Sequence, residues 1–111
     1  MSELPIIQRT FDLIKVYVPL IDRLPKTHRY TIGDRIITEL YDLLKALVNA
    51  QFSKQKLAIL ESLNPSLGLL RYQTRLLLEF NLISIKQYEN LIRAIEEIGS
   101  ELGGWIKHQR K

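Results

Sequence analysis

The sequence predicts an all-α protein: an antiparallel up-down-up-down four-helix bundle, formed as a single domain over residues 1–111. Three observations predict it. When each residue is advanced by ~100°, long segments gather their apolar side chains on one arc. No segment alternates apolar and polar residues as a half-buried strand would. The links between segments are short, which sets consecutive helices antiparallel.

The first helix is expected over Leu4 to Leu24. Its apolar arc holds Ile6, Ile7, Phe11, Leu13, Ile14, Tyr17, Val18, Leu20 and Ile21, with Gln8, Asp12, Lys15, Asp22 and Arg23 opposite. Pro5 falls in the first turn, where a missing N–H is harmless. Pro19 lies on the polar side and is expected to bend the helix without ending it. The stretch LPKTHRY then reads as a loop, because Leu24 is pushed towards extension by Pro25.

Thr31 suits an N-cap for the second helix, with Asp34 near its positive end. Ile32, Ile36, Ile37, Leu40, Leu43, Leu44, Leu47 and Val48 line about half of this helix up to Phe52. An arc that wide serves two neighbours. Near Phe52 the phase slips, so that Leu57, Ile59, Leu60 and Leu63 point to the formerly polar side. No glycine or proline accounts for the slip. The helix either bends around Ser53–Lys56 or restarts there.

Asn64 and Pro65 read as N-cap and first residue of the third helix, which runs to about Asn81. The last helix is capped by Ser84, with Gln87 completing a capping box. From Ile85 to Ile106 its inner positions are Tyr88, Leu91, Ile92, Ile95, Ile98, Leu102 and Ile106. Gly103 and Gly104 are expected to weaken its end and leave a basic tail.

The third helix is unlike the others. Leu69, Leu76 and Phe80 point one way, Leu70 and Leu77 another, and Leu67, Leu78 and Leu82 a third, which Arg71 and Arg75 share. A helix apolar all round asks to be buried all round. A monomeric bundle covers only part of it, so a subunit interface is expected at or beside the two arginines. In a purely structural role they would lay their stems on apolar surface, or either would pair with Glu79, four residues after Arg75.

Sixteen lysines and arginines against twelve acids give a net charge of +4, a mild lean towards a polyanionic partner. The candidate contacts by composition are the first-loop cluster Arg23, Lys26 and Arg29 and the tail residues Lys107, Arg110 and Lys111. The chain has no cysteine, hence no disulfide or thiolate metal site. A cytoplasmic location is expected, for the N-terminus carries an acid where a signal peptide needs basic residues. No run of ~20 apolar residues spans a membrane.

No cofactor, metal or catalytic set is expected. There is no glycine-rich phosphate loop and no pair of histidines at metal-ligand spacing. His28 and His108 read as solvated, as do Glu96, Glu97 and Glu101. Arg23 and His28 have the R-x4-H spacing of HEPN ribonucleases, but Pro25 sits inside it, in the loop.

TIGDRIITELYDLLKAL, LRYQTRLLLEF and LISIKQYENLIRAIEEIGSELGGWIK, in that order, resemble small four-helix bundles related to ribosomal RNA intervening-sequence proteins. GDRI and GGWIK look most like one branch, the accessory variability determinant (Avd) proteins of diversity-generating retroelements. The resemblance covers nearly the whole chain and is thinnest over Ser53 to Ser66. It implies a basic homopentamer that binds RNA or DNA and the element's reverse transcriptase. Such a protein supports template-primed, error-prone cDNA synthesis without catalysing it. The family's paired arginines map onto Arg71 and Arg75. The alternative within the resemblance is an intervening-sequence-type bundle with no reverse transcriptase partner.

Overall fold

A computed structural model describes residues 4–111, and among them the chain is helix and turn with no strand. The helices are α1 Pro5–Asp22, α2 Lys26–His28, α3 Asp34–Phe52, α4 Lys56–Glu61, α5 Leu63–Glu79 and α6 Ile85–Gln109. The four long ones, α1, α3, α5 and α6, are those the apolar arcs predict. Helices α1 and α5 each pack against both α3 and α6, around one apolar core.

Helix α1 starts at Pro5 and runs through Pro19 to Asp22. Ile6, Ile7, Leu13, Ile14, Tyr17 and Ile21 are buried as the arc predicts. Phe11 is not: it is 49% exposed, with the Lys15 ammonium 5.8 Å from its ring centroid. It stands at the edge of the arc, and the neighbouring helix does not reach that far round. Val48 of α3 is exposed in the same way.

The expected loop after Leu24 is mostly helical. Lys26 begins α2, and a π-helical turn, Arg29–Gly33, carries the backbone into α3. Thr31 therefore caps nothing. Its hydroxyl donates backwards to the Thr27 carbonyl at 2.8 Å, which a threonine inside a helix can do. The wide turn brings Gly33 against α1, where an added Cβ would lie 2.8 Å from Ile21 Cγ2. Only a residue without a side chain lets α3 start that close.

The phase slip near Phe52 is a break. Ser53 is extended, and the Lys56 ammonium donates to the carbonyls of Ala50, Gln51 and Ser53 at 3.0, 2.9 and 2.7 Å. One side chain thus satisfies carbonyls that a helix C-terminus leaves open, a task more often given to glycine.

Helix α5 begins at Leu63, so Asn64 is not its cap and Pro65 is its third residue, still within the turn that needs no N–H donors. It ends one turn before the link to α6. Asn81 takes a left-handed φ of 60°, Asn81 N–H donates to Leu78, and Leu82 N–H donates to Leu77. These are the two bonds of a Schellman stop, with asparagine in the glycine position.

The Ser84–Gln87 capping box forms at the start of α6. The helix passes through Gly103 and Gly104 to Gln109, because Ile106 and Trp105 beyond them pack on the core. A buried polar link pins α5 to α1. Thr74 Oγ1 donates to the Leu70 carbonyl at 2.8 Å, so the Tyr17 hydroxyl, 2.5 Å away, donates to Thr74. Burial pushes the Tyr17 phenol pKa far up, and the Thr74 bond acts in the opposite direction.

Candidate nucleic-acid interface

Helix α5 turns Leu63, Leu67, Leu70, Thr74 and Leu77 into the core. Leu69, Tyr72, Leu76 and Phe80 face out, 48%, 68%, 43% and 50% exposed. Arg71 and Arg75 are exposed too, but they flank that apolar stripe on the side turned to α6. The Arg71 Nη2 lies 3.5 Å from where a Cβ on Gly99 would be. The unpartnered apolar face and the arginines are therefore adjacent, not the same face.

A cleft of about 420 Å³ opens between α5 and α6. Arg71, Tyr72 and Arg75 line it from α5, and Tyr88, Ile92 and Glu96 from α6. Among the described residues the ion pairs are Arg9–Glu97, Arg9–Glu101 and Arg110–Glu61. The Arg75–Glu79 pairing that helical spacing permits is not made. Of the acids expected to be solvated, Glu96 is exposed at the cleft, while Glu97 and Glu101 pair with Arg9 of α1.

The other basic candidates fall at the two ends of the bundle. Arg23 and Lys26 are exposed near the π turn. Arg29 is half-buried there, with its guanidinium carbon 5.7 Å from the Tyr30 ring centroid and an Nη donating to the Leu24 carbonyl at 3.4 Å. That corner sits beside the end of α5, because His28 stacks on Phe80 with ring centroids 5.7 Å apart. His28 is thus a packing residue, not a solvated one, and no hydrogen bond joins it to Arg23 among the described residues. Lys107 and Lys111 are exposed at the far end, where Arg110 meets Glu61 just ahead of α5. Helix α5 separates the two groups by ~25 Å at ~1.5 Å per residue. The structure brings together Arg71 and Arg75 and leaves the other two clusters apart from them.

Tyr72, Tyr88 and Glu96 escaped the sequence reading as site residues. A signal for them exists: 68, 71, 72 and 75 share an edge of α5, and 88, 92 and 96 recur four apart on α6. Two helices joined by a short turn bring such edges together. No group of three or more His, Asp or Glu side chains among the described residues is placed to hold a metal ion, and no helix is long and apolar enough to cross a membrane. A family model described as bAvd-like matches residues 4–109, and no curated protein matches.

Proposed function

We propose, from the premise that the chain belongs to the bAvd-like family, that it is a non-enzymatic accessory protein of a diversity-generating retroelement. On this reading it is an antiparallel up-down-up-down bundle that self-associates, as a pentamer if it follows the resemblance. It binds RNA or DNA and the element's reverse transcriptase, and so supports template-primed mutagenic cDNA synthesis. One observation carries the reading: Arg71 and Arg75 stand exposed beside an uncovered apolar stripe and form no ion pair among the described residues. Guanidinium groups beside leucines favour a phosphate or carboxylate partner. Leu69, Leu76 and Phe80 on α5 and an apolar groove between α1 and α3, lined by Phe11, Val18, Tyr41 and Leu44 among others, supply two different faces for a head-to-tail assembly. A ring would repeat each arginine pair around its axis and let several subunits act on one strand.

Three measurements on the purified protein test this. Light scattering should give an oligomer at micromolar concentration, and a strictly monomeric mass rejects the assembly. Binding to RNA and DNA should weaken with salt at a log–log slope of about −0.7 to −0.9 per phosphate neutralised. Replacing Arg71 and Arg75 by alanine should flatten that slope while the protein stays folded. Co-purification with the reverse transcriptase encoded beside the gene tests the partner. A gene with no such neighbour points to the intervening-sequence type of bundle instead.

A further inference from the structure

We infer that the cleft between α5 and α6 takes one unstacked guanine nucleotide of a single strand, with Arg71 and Arg75 on the phosphate and Glu96 reading the base. This rests on the nucleic-acid reading above and adds a preference to it. The cleft holds three exposed charged groups that make no ion pair among the described residues: two guanidinium groups and one carboxylate. A bare anion would satisfy the arginines and be repelled by Glu96. A cationic side chain would do the reverse. A nucleotide offers both halves, an anionic phosphodiester and N–H donors on the edge of its base.

The remaining lining suits the base itself. Tyr72 on α5 and Tyr88 on α6 put an aromatic ring on each helix, and Ile92 adds apolar surface. Base–aromatic stacking tolerates any base.

Selection among bases follows from what an ionised carboxylate can do, which is accept only. The Watson–Crick edge of guanine carries two adjacent donors, N1–H and the N2 amine, one for each carboxylate oxygen. Adenine and cytosine place a ring-nitrogen acceptor beside their single amine, and it would face a carboxylate oxygen. Uracil and thymine flank one N–H with carbonyls. Guanine therefore fits best, and only when unpaired, because a duplex uses that edge.

The test is fluorescence anisotropy with short oligo-U and oligo-dT strands carrying one central guanine, adenine or cytosine, and with a duplex of the same length. The guanine strands should bind about tenfold more tightly than the others. Glu96→Gln should erase that advantage while leaving oligo-U binding in place. Tyr72→Ala and Tyr88→Ala should each raise the single-strand Kd roughly fivefold or more and leave the duplex unchanged. Equal affinity for every strand overturns the guanine site but not the nucleic-acid reading. So does a Glu96→Gln protein that still prefers guanine. Failure to bind any strand at low salt overturns both. If the tyrosine variants lose assembly or reverse transcriptase binding but keep their nucleic-acid affinity, the cleft is a protein interface and the inference falls.

Discussion

Helices α5 and α6 pack on each other, yet they treat their outer surfaces in opposite ways. Outside its core stripe, α6 presents charge, and it uses Glu97 and Glu101 to hold Arg9 of α1. Helix α5 presents Leu69, Tyr72, Leu76 and Phe80 to water, and neither of its arginines forms an ion pair among the described residues. On the side turned to α1, the surface of α6 is finished within the monomer. That of α5 is not, since apolar stripes of this kind mark sites of interaction. A helix's apolar content thus has two parts: what its own bundle buries, and what remains for a partner.

Several substitutions would break or sharpen that contrast. The largest effect is expected from neighbours on α5. Leu77 is fully buried and Leu76 is 43% exposed. Leu77→Ala should lower unfolding free energy by about 2–5 kcal/mol in denaturant titrations. Leu76→Ala should cost the monomer little and weaken self-association instead. If both mutants unfold alike and both assemble, α5 has no separate outer face.

Next comes the link from α5 to α1. Thr74→Val strands the buried Tyr17 hydroxyl and should cost about 1–3 kcal/mol. Tyr17→Phe should cost less, since Thr74 still donates to Leu70. The folded phenol titrates above its ordinary value of 10.0, so its contribution is complete below that pH. Stability should then fall with rising pH once the unfolded state starts to ionise, by up to ~1.4 kcal/mol per pH unit from this group. Urea titrations of wild type and Tyr17→Phe between neutral and strongly alkaline pH read the difference, and an identical decline in both would remove Tyr17 as its cause.

A smaller loss, about 1 kcal/mol, is expected for Lys56→Ala, which uncaps α3. Hydrogen exchange at the amides of Ala50 to Ser53 should quicken; unchanged exchange would show that the cap holds nothing. The smallest effect belongs to the finished face of α6. Arg9→Ala removes ion pairs with half-exposed partners and should cost less than ~1 kcal/mol, shrinking further in salt. A cost that persists at high salt would mean the Arg9 stem matters through packing.

The long helices were legible because their cores repeat cleanly: Ile36, Leu40, Leu43 and Leu47 are all buried where a 100° step puts them. The Ser84–Gln87 box was legible because its signal is local. The junctions were not. Thr31 and Asn64 look like caps, but the backbone around each was already helical for reasons outside its own neighbourhood. Lys56 capping α3 and His28 packing on Phe80 use side chains whose usual place is solvent. In the cleft, the arginines were visible as charges among leucines. Tyr72, Tyr88 and Glu96 were not, because their meaning depends on which edge of α6 faces α5.

The three bonds from Lys56 also bear on chemical reactivity. The Lys56 amine is half-buried and bound to three backbone carbonyls, so an acylating reagent reaches its nitrogen only when the clasp opens. Lys45, Lys54 and Lys86 are exposed and make no such bonds among the described residues. In timed labelling, Lys56 should be the slowest of these to react. Once it has reacted, its amide nitrogen has a single hydrogen for three carbonyls, and the junction between α3 and α4 loses the clasp that set its direction.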